Sequence, residues 1–311
     1  IAIRIARAAT GKDNVAICGY HGWHDWYLSA NLSSSDKLQD HLLPGLETSG
    51  VPQNLKGLVH PFHYNNFEEL KTLVEEHDIG TIKMEVERNN GPEDDFLQKV
   101  RKLATDKNIV LIFDECTSGF RETFGGLALK YGVEPDMAMY GKALGNGYAI
   151  TATVGKSEVM EAAQSSFISS TFWTERIGPT AALKTLEVMK KIKSWELIKK
   201  KGLKIKKEWL KIANKNNLQI NIQGSLGIPN FSFKSKNNIK YKTLISQEML
   251  KKNFLSTNTL YLSIAHTDQL IEEYLYNLEK VFKLITNCEN GQNIDKYLKH
   301  PVCHSGFQRL N

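Results

Sequence analysis

The segment with the clearest chemical content is a short apolar run that ends in two acids. Val110 to Phe113 are hydrophobic, and Asp114 and Glu115 follow directly. An apolar run of this length predicts a buried strand. In a phosphate-loop ATPase such a strand holds Mg²⁺ through its acid, although the partner motif Gly-x-x-x-x-Gly-Lys-Ser/Thr is absent from this sequence. The run alone leaves three interpretations open: a metal-binding acid, a structural strand end, or an acid with another function.

A lysine in a glycine-rich turn favours a catalytic function. Lys142 follows Asp114 by 28 residues, in Gly141-Lys142-Ala143-Leu144-Gly145-Asn146-Gly147-Tyr148. Glycines allow a bulky planar group to approach the backbone closely. A lysine amine that is desolvated in such a place loses its proton and can form a Schiff base with an aldehyde. The turn therefore predicts an aldehyde-binding lysine.

A sheet is needed to position these residues. Up to about residue 190, short apolar strands alternate with helical stretches, which predicts an α/β domain with a mostly parallel sheet. Ligands bind at the carboxyl ends of strands in such sheets, where Asp114 and Lys142 are expected. The predicted strands are Val15–Cys18, Thr81–Val86, Ile109–Phe113, Met137–Tyr140 and Ala149–Val154, and the predicted helices include Phe67–His77, Asp94–Lys107 and Lys156–Gln164.

Residues 191–311 have a different pattern and predict a smaller α+β domain, with an irregular tail from about residue 287. Eleven lysines lie between Lys190 and Lys215. Apolar residues recur among them at helical spacing, so we interpret the lysines as the solvated face of amphipathic helices rather than a nucleic-acid site. The predicted strands are Gln219–Ile222, Ile228–Phe233 and Thr259–Ile264, and the predicted helices include Tyr241–Lys252 and Gln269–Leu284.

Length and composition exclude several classes of protein. With 311 residues, 41% hydrophobic and 24% charged, the chain can bury a sizeable core. The net charge of +6 is mild, and no apolar run approaches the ~20 residues of a membrane helix. The four cysteines are far apart, which predicts reduced thiols in the cytoplasm. The first ten residues lack Met and read as the interior of a helix, so we expect an N-terminally truncated chain.

Five groups of residues, in order over about 280 residues, resemble a known family. This family is the class III, fold-type I aminotransferases that use pyridoxal phosphate, and the resemblance is to its glutamate-1-semialdehyde aminomutase-like branch. It implies an aspartate aminotransferase-like fold and a homodimer with shared active sites. The groups are Tyr20-His21-Gly22, Phe113-Asp114-Glu115 with Thr117-Ser118-Gly119-Phe120-Arg121, Gly141-Lys142, Ser170-Thr171-Phe172 and Ala265-His266-Thr267.

The resemblance assigns the catalytic roles to two residues. Lys142 would bind the cofactor aldehyde as a Schiff base and, once displaced by substrate, would shuttle a proton. Asp114 would keep the pyridine nitrogen protonated, so that the ring withdraws electrons. The substrates implied are a small-molecule amino donor and a keto or aldehyde acceptor, with no nucleic acid or membrane as partner.

Further cofactor contacts follow from the same resemblance. Tyr20 would stack on the pyridine ring within an aromatic wall that includes His21, and Cys116 would line the other face. Thr171 would bind the phosphate, in this family usually that of the neighbouring subunit's cofactor. Glu85 and Asn90 match two more family positions near the cofactor, although Val86 stands where the family has a proline. Arg88 is a further candidate, which would bind a substrate carboxylate.

The sequence leaves more than one substrate and more than one reaction class open. The semialdehyde aminomutases carry an acid shortly before the Ala-His-Thr group, whereas residues 254–261 contain none. We therefore expect an aminotransferase for another amino or keto compound, with the aminomutase as the alternative.

A Mg²⁺-dependent ATPase and a non-catalytic binding protein of the same fold are the other hypotheses. His21, His24 and Asp25 could also ligate a metal, but we favour the cofactor wall and predict no metal site.

Overall fold

The computed structural model describes residues 1–34, 37–41, 45–87 and 89–306. The chain forms two compact units, Ile1–Lys193 and Ser194–Ser305. The division falls after Lys193, close to the predicted boundary at residue 190. Among the described helices, none combines the length and the low polarity that crossing a bilayer requires.

A six-stranded sheet organises the described part of the first unit. Its strand order is β2-β1-β3-β4-β5-β6, and every neighbouring pair is parallel except β5 and β6. The mostly parallel α/β sheet expected from the sequence is thus confirmed. The strands are β1 Asn14–Cys18, β2 Val59–Pro61, β3 Ile79–Glu85, β4 Val110–Asp114, β5 Met137–Tyr140 and β6 Ala152–Gly155.

Helices cover both faces of this sheet. Strands β3 and β4 are buried along their whole length, which explains the apolar run of β4 before Asp114. Strand β3 in contrast buries the polar side chains of Thr81, Lys83 and Glu85. Ile82 and Phe113 contribute to the core on one face, and Ile17 and Ile112 to the core on the other. The helices are α1 Ala2–Thr10, α2 Asp25–Leu28, α3 Phe67–Glu76, α4 Phe96–Asp106, α5 Ser157–Met160 and α6 Ile177–Ile192.

Three elements of the first unit differ from the sequence-based prediction. Strand β2 was not predicted, because Val59–Pro61 is too short to give a periodic signal. The last strand begins at Ala152 rather than Ala149. The predicted helix Lys156–Gln164 is α5 followed by a 3₁₀ turn, so it is not a continuous α-helix.

The second unit packs three helices against a two-stranded antiparallel hairpin within its described residues. Trp209 lies at the centre of its core, where the indole Nε1–H donates to the hydroxyl of Tyr274 at 3.1 Å. The elements are α7 Ser194–Lys215, β7 Ile220–Gln223, β8 Asn230–Phe233, α8 Asn238–Leu250 and α9 Asp268–Glu289.

The strand predicted at Thr259–Ile264 is wrong. Thr259 forms an isolated bridge with Asn230, and the following residues are irregular. The backbone N–H of Leu260 donates to the carbonyl of Pro229, and that of Leu262 to the carbonyl of Gly227. These acceptors belong to the loop before β8, so the segment follows a loop instead of extending the sheet. Helix α9 also continues to Glu289, slightly beyond the predicted start of the tail.

Candidate active site

Asp114 is the last residue of β4, and its carboxylate is buried and held by three donors. Its Oδ2 accepts hydrogen bonds from Lys83 Nζ at 2.5 Å and from His21 Nδ1 at 3.0 Å. Its Oδ1 accepts the backbone N–H of Cys116 at 3.2 Å. Burial alone would raise the pKa of Asp114, but the His21 hydrogen bond and the Lys83 charge outweigh it and hold the pKa well below its usual range. The carboxylate is therefore ionised.

His21 lies in the loop after β1, with a fully buried imidazole. Burial, reinforced by the charge of Lys83, lowers its pKa to about 4 even though Asp114 opposes the shift. The ring is therefore neutral at pH 7. Because an ionised carboxylate only accepts hydrogen bonds, the proton lies on Nδ1. Among the described residues, Nε2 has no hydrogen-bond partner.

We expect His21 to make folding stability depend on acid pH. An imidazole kept neutral by the fold contributes stability above the unfolded pKa of ~6.5, and this is lost as pH falls toward 4. Denaturant unfolding from pH 7 to 4 should show a decline that His21→Asn makes shallower. Each pKa unit of difference between the states corresponds to ~1.4 kcal/mol.

His63 provides the matched control for this measurement. Its hydrogen bond to Glu69 raises its pKa, so its contribution has the opposite sign, and His63→Asn should not make the acid decline shallower. His41 and His60 also have pKa values lowered to about 4 by burial, and they contribute to the decline that remains in the variant. An unchanged slope in His21→Asn would contradict the expectation.

Lys142 begins the 3₁₀ turn that follows β5, with a left-handed φ of 43°. Its Nζ donates to Thr117 Oγ1 at 2.7 Å. Strand β5 pairs with β4, with Met139 opposite Asp114, so Lys142 and Asp114 follow from the carboxyl ends of neighbouring strands. The Lys142 side chain is exposed. The expectation for such a turn was a buried side chain, whereas this residue is exposed among the residues that the structure describes.

Cys116 lies between the two candidate catalytic residues. Burial raises the pKa of its thiol to about 12, with the Asp114 carboxylate adding to the shift and the ammonium groups of Lys83 and Lys142 opposing it. The thiol is therefore protonated at pH 7. A Cβ placed on Gly141 would lie 3.5 Å from Cys116 Sγ, so the turn before Lys142 packs against this cysteine.

Glu115 points to different partners and is a structural acid. Its carboxylate accepts the backbone N–H of Ala128 at 2.9 Å and the hydroxyl of Ser118. The side chain is almost completely buried, and burial raises its pKa. The two consecutive acids therefore have different functions. Asp114 belongs to the candidate site, and Glu115 fixes the loop that follows β4.

Glu85, at the end of β3, binds the loop that carries Tyr20. The Tyr20 backbone N–H donates to Glu85 Oε2 at 3.1 Å. Gly19 has φ of 109°, and a Cβ there would lie 2.5 Å from the same oxygen, so only glycine fits. The Tyr20 ring packs edge-on against Tyr27 at 5.9 Å. Glu85 thus holds the backbone of the loop that carries Tyr20, and in the sheet it is the register partner of Asp114.

Asn90 and Thr171 lie outside the strands of the sheet. Asn90 lines a cavity of about 170 Å³ together with Glu85, His41 and His63. Thr171 is exposed and begins a 3₁₀ turn. Arg88 lies outside the described residues.

Two residues of the candidate site had no role predicted from the sequence. Lys83 binds Asp114 from β3, and Thr117 binds Lys142. The sequence contained a signal for Lys83, because it is a charged residue between Ile82 and Met84 in the middle of a predicted strand. The partner of that charge, 31 residues away, could not be read from the sequence.

Residues 1–272 match the family model described as aminotransferase class-III. The chain is 34% identical over 295 residues to 3-aminobutyryl-CoA aminotransferase of Cloacimonas acidaminovorans, with 90% of this chain and 66% of that protein covered. It is 31% identical over 305 residues to glutamate-1-semialdehyde 2,1-aminomutase of Sulfolobus acidocaldarius, with 90% and 71% covered. The chain thus spans slightly less than two thirds of the first relative's length.

Solved structures support the same fold. The pyridoxal phosphate internal aldimine form of FumI from Sphingopyxis sp. MTA144 superimposes with a TM-score of 0.82 at 21% identity, covering 94% of this chain and 69% of that one. An omega-transaminase from Sphaerobacter thermophilus gives 0.79 at 20% identity, covering 91% and 70%. The predicted fold and the predicted pyridoxal phosphate cofactor are confirmed at the level of the family. Because the family model matches most of the sequence and the fold agrees with it, this chain belongs to the class III aminotransferase family.

Proposed function

We propose that the whole protein is a pyridoxal-phosphate-dependent aminotransferase that moves an amino group from a small-molecule donor to a keto or aldehyde acceptor. The observation that carries the proposal is the placement of Asp114 and Lys142 at the carboxyl ends of paired strands. One group is a buried, ionised carboxylate, and the other is an exposed amine. Family membership supports the same reaction class.

The residues present fit pyridoxal phosphate. Bound pyridoxal phosphate supplies an aldehyde that condenses with amines and a pyridinium ring that withdraws electrons. An ionised Asp114 can accept the ring N–H and hold its proton in place, because Oδ1 has a lone pair beyond the one that faces Cys116 N. Lys142 would hold the aldehyde carbon, and its free amine would later carry a proton at Nζ. Thr117 would orient that amine.

Other residues complete the proposed cofactor site. We place Tyr20 and His21 on one side of the ring and the neutral thiol of Cys116 on the other. Glu85 supports this arrangement indirectly, by binding the backbone that presents Tyr20. Asn90 would contact the cofactor from the cavity that it lines together with Glu85.

We also propose a homodimer in which Thr171 binds the phosphate of the neighbouring subunit's cofactor. Large apolar side chains are exposed on and around the turn that carries Thr171, and such surfaces are typical of subunit interfaces. Sedimentation analysis of the whole protein should show a dimer, and a monomer would contradict the proposal. The exposed residues are Phe167, Phe172, Trp173, Ile177 and Leu183.

A cytoplasmic location is part of the same proposal. All four cysteines are free, which is typical of proteins kept in a reducing compartment.

The semialdehyde aminomutase is the second candidate function, because one relative with that name is 31% identical. We favour transfer to a separate acceptor, since the segment 254–261 lacks the acid that the aminomutases carry there.

The experiment is a half-reaction. We expect the whole protein, loaded with pyridoxal phosphate and mixed with single amino donors, to form pyridoxamine phosphate with at least one of them, as measured by chromatography of the released cofactor. Adding a keto acid or an aldehyde should reverse the conversion. Absence of pyridoxamine phosphate with all donors would contradict the proposal, and ATP turnover in the same sample would favour the ATPase hypothesis.

A further inference from the structure

Lys83 is a buried cation at a position that packing alone would assign to an aliphatic side chain. It lies in the middle of β3, with Ile17 of β1 and Ile112 of β4 as its partners in register. Paired residues of parallel strands point to the same face of the sheet. Lys83 is 3% exposed, and both isoleucines are 0% exposed. The lysine therefore interrupts an apolar row that crosses the sheet.

Folding stability does not explain this lysine. Removing an ammonium group from water carries a large penalty, which its partner repays only in part. Replacing a buried ion pair with well-packed apolar residues is often neutral or stabilising. An aliphatic residue at 83 would continue the row formed by Ile17 and Ile112. The charge at this position is therefore better explained by its effect on the carboxylate of Asp114.

The ammonium group of Lys83 is held on two sides. Its Nζ lies 2.5 Å from Asp114 Oδ2, and 5.8 Å from the centre of the Trp26 ring, a cation–π contact. His21 Nδ1 binds the same oxygen at 3.0 Å. Two donors thus converge on Oδ2, whereas Oδ1 receives the backbone N–H of Cys116.

This asymmetry distinguishes the two oxygens of one carboxylate. We propose that Lys83 is a positioning residue of the candidate active site, and that its ammonium group holds Oδ2 of Asp114 so that Oδ1 receives the ring N–H of the cofactor. The proposal rests on the proposed function. Lys83 does not touch the reacting atoms and acts through Asp114. By sharing the negative charge, it also makes the carboxylate less basic than a lone buried aspartate.

The test uses the protein without added cofactor. Carbon-13 NMR of the Asp114 carboxyl group should show wild-type protein ionised to the lowest pH at which it stays folded. In Lys83→Met the same carboxyl should titrate about one to three pH units higher, because an opposite charge at this distance has been removed. Lys12→Met is the matched control, since Lys12 pairs with Asp78 at 2.8 Å, and it should leave the Asp114 titration unchanged.

A Lys83→Met protein whose Asp114 stays ionised to the same low pH as wild type would overturn the proposal. Should that variant fail to fold, NMR of the wild-type lysine ammonium groups is the second measurement. It should show a Lys83 signal protected from exchange and coupled to the Asp114 carboxyl, and a freely exchanging signal would overturn the proposal. Neither measurement involves turnover, so failure to form pyridoxamine phosphate would count against the proposed function alone.

The cofactor-bound state gives the remaining readout. In a crystal structure of wild-type protein with pyridoxal phosphate, the ring nitrogen should contact Oδ1 while Lys83 remains on Oδ2. A ring nitrogen on Oδ2, with Lys83 displaced, would refute the positioning role.

Discussion

Lys142→Ala should reduce pyridoxamine phosphate formation from an effective amino donor by at least about 10²–10⁴-fold, the contribution expected of a positioned acid–base group. The variant loses the amine that holds the aldehyde and carries the proton at Nζ. The fold should survive, because the Lys142 side chain is exposed and binds only through Thr117 Oγ1 among the contacts described. Single-turnover kinetics with saturating cofactor would measure the loss.

Lys156 offers a control for this substitution. It also follows a strand of the same sheet, β6, and it pairs with Asp136 at 3.2 Å. Lys156→Ala should retain the rate. Borohydride reduction followed by peptide mass analysis should place the phosphopyridoxyl group on Lys142 in wild type. Labelling of a different lysine, or wild-type rates in Lys142→Ala, would refute the assignment.

Asp114→Asn should lower the rate of the same half-reaction by about 10²–10³-fold, the usual cost of losing one preorganised electrostatic contact. An amide cannot hold a proton on the ring nitrogen as a carboxylate does. The substitution should also lower the free energy of unfolding by ~3–5 kcal/mol, because it leaves the buried ammonium of Lys83 without its counter-charge. Denaturant unfolding and single-turnover kinetics measure the two effects separately.

The double variant Lys83→Met with Asp114→Asn separates catalysis from stability. Removing both charges should recover most of the lost free energy of unfolding, since no uncompensated ion remains in the core. The rate should stay low, because the carboxylate is still missing. If the double variant were active, the low rate of Asp114→Asn would be a consequence of instability and not of chemistry.

Local sequence was sufficient for much of the candidate site. The apolar run before Asp114 is a buried strand, and the glycine-rich turn with Lys142 follows the next strand, as predicted. These features depend on residues adjacent in the chain, whose burial and turn preferences are local properties. The ordered motifs also predicted the family correctly.

Other features depended on residues distant in the chain. Val59–Pro61 becomes strand β2 because β1 offers it an edge, and Thr259–Ile264 follows a loop because of acceptors near residue 228. The exposure of each lysine also could not be predicted, since Lys142 is exposed and Lys83 is buried. Each outcome is set by what packs against the segment rather than by its own composition.

The sequence by itself determined that Asp114 and Lys142 follow from strand ends, because an apolar run and a glycine-rich turn are patterns of consecutive residues. The tertiary structure alone decided which charges meet. Asp114 receives its two side-chain donors from positions 31 and 93 residues earlier. Register places Lys83 of β3 beside β4, and the loop after β1 brings His21 to the same carboxylate. Register is a property of strand pairing and of the burial of sheet faces, which residues adjacent in the chain do not determine.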